Sequence, residues 1–206
     1  MQNGSAATAI FARRMIRRYT TQPISRDTLQ QLLEAAVRAP SPHNRQPWRF
    51  AVVTGDSRRR LAQAMGDQLR LDLAADGVPA EAIERDAGRS YLRITSAPAS
   101  ILASLSLRDM DRYPDERRNA AERWMAGQAV AAAAQNLLLR ATELGLGACW
   151  MCAPLFCGVA VSQVLALPED WEPQALITLG YPADEGRDRE RVPLGDVVMW
   201  AGDAAS

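Results

Sequence analysis

The sequence predicts an α+β domain, and three observations predict it. Apolar residues recur at three- and four-residue intervals after Ser25, a short β-branched run stands at residues 49–54 with further strand-like stretches at 99–107 and 175–181, and a long helical pattern runs up to Leu144. The 206 residues suit one domain spanning residues 1–206. A chain of that size buries roughly 70% of its unfolded surface, so a core forms without disulfide or metal staples.

Each element has its own signal. Ser25 can cap a helix, Asp27 lies in its first turn, and Leu29, Leu32, Leu33, Ala36 and Val37 form its apolar stripe until Pro40 stops it. Residues 40–48 read as a loop and residues 49–54 as a strand closed by Gly55 and Asp56. Asp56 is expected to cap a helix carrying Leu61, Met65, Leu69 and Leu73 on one face, ending before Gly77 and Pro79. A more polar helix covers residues 80–95, and a second strand follows Pro98 at residues 99–107. The polar stretch 108–118, with Tyr113, Pro114 and Asp115 inside it, is expected to be a mobile loop. The helical pattern that follows ends at Gly145 and Gly147. Its small residues 129–134 either permit close helix approach or are simply good helix formers. Strands at 175–181 and 197–200, joined by the charged connection 186–191, complete the set.

Composition excludes several functions. All 24 basic residues are Arg, balanced by 24 Asp and Glu, so net charge is zero and the pI is near 6.6. No broad positive footprint exists for nucleic acid. The choice of Arg over Lys at any site is a chain-wide bias, so position must carry the argument. Three Cys without an even framework, and an N-terminus without an apolar leader, point to a reducing cytoplasm. Residues 144–168 carry no charge, yet Gly145, Gly147, Pro154 and Gly158 interrupt them, and Glu169 and Asp170 follow where anchoring cations belong. The run reads as buried interior, and no membrane partner is expected.

Four constellations could carry chemistry. Arg13, Arg14, Arg17 and Arg18 would form two repelling i,i+4 pairs in a helix, a cost that a nearby anion offsets; the alternative is a solvated basic face paired with carboxylates. Arg187, Arg189 and Arg191 form a second cluster, in which an extended backbone points Arg189 and Arg191 the same way. The loop 40–48, PSPHNRQPW, holds polar groups between prolines, which suits recognition of a heteroaromatic edge or else is an ordinary connection. Cys149 and Cys152 have dithiol spacing but no neighbouring cation in sequence, so burial should raise their pKa. A metal site from Cys149, Cys152, Cys157 and His43 is the less favoured alternative to buried structural Cys. One His leaves triad chemistry almost nothing to draw on. Gly145 and Gly147 follow a helix and lack a third glycine, so they make no dinucleotide fingerprint.

The motifs together resemble a known family. RRMIRRY at 13–19 and PSPHNRQPW at 40–48 are similar to the opening and the loop signature of the FMN-dependent nitroreductases. LGLGACW at 144–150, LGYP at 179–182 and RERVP at 189–193 resemble its three later signatures, in the same order. RYPDERR at 112–118, AER at 121–123 and LPEDWEP at 167–173 look closest to the C-terminal flavin domain of the ligase that adds γ-glutamates to the deazaflavin coenzyme. The ligase's extra catalytic domain does not fit in this length, so ligation is not expected.

The resemblance implies a nitroreductase-like fold, a central antiparallel sheet flanked by helices, in an intertwined homodimer with FMN at the seam. It implies Arg13, Arg189 and Arg191 on the phosphate, Arg14 and Met15 along the phosphate and ribityl chain, and Arg17 at the pyrimidine edge. Pro40, Ser41 and Asn44 would reach the neighbouring subunit's flavin, and backbone N–H groups of Cys152 and Ala153 would face N5 and O4. Met15 stands where the family usually has Ser, which removes a hydroxyl donor. Residues 127–144 and 197–200 would build the dimer interface. Hydride would pass from NADH or NADPH through flavin N5 to a nitroaromatic, quinone or similar small acceptor in ping-pong order, with no catalytic side chain. Tyr113 and Trp124 are candidates for the substrate-pocket wall, against ordinary packing roles. Other readings are a flavin-dependent reductase of a deazaflavin coenzyme precursor, and a protein that binds flavin or deazaflavin without turnover.

Overall fold

The structure, a computed structural model, describes residues 6–202. In chain order the elements are α1 (Ala6–Ala12), α2 (Arg26–Ala36), β1 (Trp48–Val53), α3 (Gly55–Ala75), α4 (Ala80–Thr95) and β2 (Ala99–Leu105). They continue with α5 (Glu116–Glu143), β3 (Gly147–Met151), α6 (Gly158–Leu165) and β4 (Glu172–Gly180). Short 3₁₀ turns stand at Pro42–Asn44, Ala153–Leu155 and Leu194–Asp196. The strands form one antiparallel sheet in the order β1-β2-β4-β3.

Strand β2 explains the layering, because every one of its residues is buried. Side chains alternate across a strand, so Ile101, Ala103 and Leu105 meet Leu29, Leu32 and Ala36 of α2 and the Ala129–Leu137–Ala141 stripe of α5. On the opposite face Leu102 meets Leu61 and Met65 of α3, Ile94 of α4 and Val161 of α6. Fully buried Leu32, Leu61 and Leu137 each contribute about 1.5–3 kcal/mol of apolar transfer to this arrangement. Ala129, Ala133 and Ala134 are buried, and Asn136 of α5 donates to the Ala35 carbonyl of α2 at 3.3 Å, so the small residues do bring two helices close.

The caps refine the boundaries. The Ser25 hydroxyl accepts from Thr28 N at 3.0 Å, as its position suggests. Thr54 is the N-cap of α3, and Asp56 lies inside its first turn with its carboxylate on Arg59 and Arg60, so it caps nothing. Asp115 accepts from Arg118 N at 2.9 Å and starts α5 at Glu116, taking residues 116–118 out of the expected loop. Strand β4 begins at Glu172, three residues before the expected start, with a register shift opposite Ala103 and Ser104.

Other expectations need larger correction. The uncharged run 144–168 contains β3 and α6, which apolar composition hid, since a strand covered on both faces shows no alternation. Its reading as buried interior fails at Leu155, Phe156 and Val159, which are exposed. No strand forms at 197–200, and residues 187–202 are exposed throughout; a strand needs a hydrogen-bonding neighbour, and among the described residues none pairs with this segment. Among the described residues, no helix is long and apolar enough to cross a membrane.

Candidate functional site

The segment after α1 is extended, so the i,i+4 pairs that Arg13, Arg14, Arg17 and Arg18 would make in a helix do not form. Hydrogen bonds to the sheet explain why. Ile16 N donates to Ala148 O at 3.0 Å on the edge of β3, and Thr20 N donates to Tyr181 O at 2.8 Å. Ala183 N donates to Arg18 O at 3.0 Å, which lays residues 181–183 beside the same segment. The buried Tyr19 hydroxyl anchors it through Thr178 Oγ1 at 2.8 Å and Ile16 O at 2.7 Å, and burial pushes that phenol well above its ordinary pKa.

Two glycines permit this approach. A Cβ at Gly147 would stand 2.6 Å from Ile16 Cγ2. Gly186 has φ +71°, and a Cβ there would stand 2.7 Å from Ile16 Cδ1 and 3.2 Å from Arg14 Cβ. Arg14 closes the junction with a 2.8 Å ion pair to Asp188.

The result is a cavity of about 400 Å³ lined by Arg13, Arg14, Met15, Arg17, Arg18, Asp184, Gly186, Arg187, Arg189 and Arg191. The two basic clusters read in the sequence therefore meet. Arg14 pairs with Asp188, and Arg18 comes within 4.0 Å of Asp184. Arg13, Arg17, Arg187, Arg189 and Arg191 have no carboxylate in ion-pair range among the described residues. So many uncompensated guanidinium groups around one concavity repel one another unless an anion sits among them.

Arg17 also lines a second cavity of about 440 Å³, so the two adjoin. Leu69, Leu73, Trp150, Met151, Cys152 and Ala153 supply much of its wall, with Cys149, Ser90, Asp86, Arg89 and Arg93. Arg89 is held by Asp86 at 2.7 Å, whereas Arg93 has no carboxylate in range among the described residues. Arg93 lies in the last turn of α4, where a cation complements the helix dipole. Sequence reasoning missed both α4 arginines. Their i,i+4 spacing, with Asp86 three residues before Arg89, was the available signal.

The thiols confirm one expectation and correct another. Burial raises Cys149, and it pushes Cys157 up to about 11. Cations do stand near Cys149, since Arg17 and Arg93 act on it, but burial outweighs them. Cys149 and Cys157 are buried as expected, but Cys152 is exposed, so the expected burial fails there; among the described residues no group of three or more His, Cys, Asp and Glu is placed to hold a metal ion.

Other nominated residues lie elsewhere. Pro40, Ser41 and Asn44 do not line the arginine cavity of their own chain. Their loop is stiffened by the Ser41 hydroxyl, which accepts from Gln46 N at 3.0 Å. His43, Asn44 and Gln46 have φ of 46°, 55° and 50°, left-handed conformations that cost energy and are retained where the surroundings enforce them. Tyr113 lines a separate cavity near the start of α5, and Trp124 is 73% exposed.

The family model described as Nitroreductase family matches residues 10–181. A protein named NADH dehydrogenase from Thermus thermophilus is 35% identical over 219 aligned positions, covering 95% of each chain. A putative NADH dehydrogenase/NAD(P)H nitroreductase from Archaeoglobus fulgidus is 29% identical, over 85% of this chain and 84% of its own. The crystal structure of a putative nitroreductase from Desulfovibrio desulfuricans in complex with FMN superposes with a TM-score of 0.74 at 28% identity, covering 99% of this chain and 100% of that one. The α+β fold implied by the motifs, an antiparallel sheet flanked by helices, is the fold observed. From this agreement over nearly the whole length, the chain belongs to the nitroreductase family.

Proposed function

We propose that the chain is an FMN-dependent NAD(P)H oxidoreductase acting on a small-molecule electron acceptor. One observation carries this reading: a cavity walled by arginines from both ends of the sequence adjoins, through Arg17, a cavity with substantial apolar lining. That pair of environments fits a dianionic tail joined to a flat heteroaromatic ring. Arg13, Arg189 and Arg191 hold the phosphate by charge-assisted hydrogen bonds. Arg14 and Met15 lie along the phosphate and ribityl chain, where Arg14 is already fixed by Asp188. Arg17, joined by Arg93, places positive charge at the pyrimidine edge, where reduction would put negative charge.

When bound there, FMN would supply two-electron transfer between NADH or NADPH and an acceptor such as a nitroaromatic or quinone. The chain's part is to bind, orient and bias. Backbone N–H groups of Cys152 and Ala153, at the start of a 3₁₀ turn beside the second cavity, would face N5 and O4 of the bound ring. Pro40, Ser41 and Asn44 reach the partner's flavin in a homodimer, and Tyr113 and Trp124 wall the acceptor pocket. An open site admits donor and acceptor in turn, which is ping-pong order.

The resemblance of residues 112–123 and 167–173 to the deazaflavin ligase's flavin domain favours a second reading, reduction of a deazaflavin coenzyme precursor. The two stretches touch, since Arg123 pairs with Glu172.

The test is an aerobic absorption spectrum of the purified protein with flavin extraction, then addition of NADH. A yellow protein that releases FMN and bleaches on NADH is expected; colour without bleaching would leave a binder without turnover. The double variant Arg13→Ala with Arg191→Ala should lose FMN while keeping its helical circular dichroism, and unchanged retention would refute the phosphate assignment.

A further inference from the structure

The loop between β2 and α5, with its neighbours, is a lattice of ion pairs. Arg49 pairs with Asp109 at 3.1 Å, Arg108 with Asp170 at 2.7 Å, Arg45 with Asp111, Arg118 with Asp115 and Arg123 with Glu172. Among the described residues one carboxylate of this region is both buried and unpaired. Glu122, near the start of α5, is only 7% exposed and has neither a salt bridge nor a hydrogen bond to its side chain.

Glu122 lines a cavity of about 330 Å³ with Leu107, Met110, Tyr113 and Asn119. That volume is in the range of small-molecule sites. The other polar groups of the wall are already committed. The Asn119 amide accepts from Tyr113 N and donates to Tyr113 O, both at 2.9 Å, and Asp111 is held by Arg45. Arg112 borders the cavity, but its residue is exposed and it also borders the adjoining depression that contains Asp170 and Glu172. Tyr113 is a preformed wall, because Asn119 clamps its backbone and the Arg118 guanidinium lies 4.6 Å from its ring centre. The Glu122 carboxylate oxygens are not sealed off with the rest of its side chain, so an unpaired acceptor is open to whatever enters the cavity.

We propose that this cavity binds a small organic cation, an amidinium or primary ammonium on an apolar body. The cationic group sits on Glu122 and the body lies against Leu107, Met110 and the Tyr113 ring. The site shares only Tyr113 with the flavin reading and stands without it.

The experiment is calorimetric titration of the purified protein with benzamidine and with its neutral relative benzamide, with flavin content and circular dichroism recorded in parallel. Saturable benzamidine binding is expected, at least about tenfold tighter than benzamide, because a charge-assisted pair is lost in the neutral compound. Glu122→Gln should weaken benzamidine by the same factor with flavin content unchanged, and Arg112→Ala should bind it as tightly or more so. Should Glu122→Gln fail to fold, Met110→Trp, which fills the cavity, must block binding. The proposal is overturned if benzamidine does not bind, if benzamide binds equally well, if Glu122→Gln or Met110→Trp binds as the parent does, or if Arg112→Ala abolishes binding.

Discussion

At the scale of single residues, Gly147 carries more than its size suggests. With a Cβ there 2.6 Å from Ile16, Gly147→Ala must push the extended Arg13-to-Tyr19 segment off the sheet edge. The expected cost is about 1–3 kcal/mol, as for overpacking, together with loss of FMN retention. Denaturant melts and flavin extraction check both, and a stable, flavin-retaining variant would contradict the described packing. The thiols give a second test. Cys152 is exposed while Cys149 and Cys157 are buried, so one thiol per chain should react with a disulfide reagent at pH 8, and Cys152→Ser should remove it. Cys157 has its pKa pushed up to about 11 from an ordinary 9, so the folded chain keeps that proton longer than the unfolded chain. Its contribution to stability is complete below about pH 9 and is lost as pH rises through about 11, which urea midpoints across that window will show. At this scale the sequence was legible where charge type decided the role: the two arginine clusters could be read and they converge. Glu122 could not, because a carboxylate on a helix looks alike in sequence whether it faces solvent or a cavity.

Among the elements, those with punctuation at both ends were the readable ones. Helix α2 is bounded by Ser25 and the approach to Pro40, and α4 by Pro79 and Pro98; α4 formed where its spacing placed it, while α2 stops at Ala36 and leaves Val37, the last residue of its expected stripe, as an exposed C-cap. Ser25→Ala should remove the bond to Thr28 N and cost about 1 kcal/mol, lowering the melting temperature while leaving FMN content unchanged, since α2 lines neither of the two cavities proposed for the flavin. Strand β3 and helix α6 were illegible for the opposite reason. They lie in one uncharged run in which both a buried strand and a short helix are apolar throughout, and no periodicity separates them. The segment 197–200 misled in a different way. Its apolar, β-branched composition suits pairing, but no strand among the described residues pairs with it.

For the whole molecule, the exposed apolar surface is the main unresolved force. Leu194, Val197, Met199 and Trp200 are 72%, 61%, 87% and 84% exposed, in a segment that follows directly on Arg189 and Arg191. Such a stretch calls for cover, and a second copy of the chain is the cover we expect. Removing everything after Arg191 should convert a dimer into a monomer by sedimentation velocity, with weakened FMN retention; a truncated chain that still sediments as a dimer would place the interface elsewhere. The Arg14–Asp188 ion pair joins residues 174 positions apart, so the anion site is among the most non-local features of the chain. Contacts of that span are made late in folding, after the sheet has aligned both strands of the junction. An anion seated there would have no affinity for intermediates in which the two segments are still apart. It would act as a latch, raising stability with its own concentration and selectively retaining molecules that had finished folding.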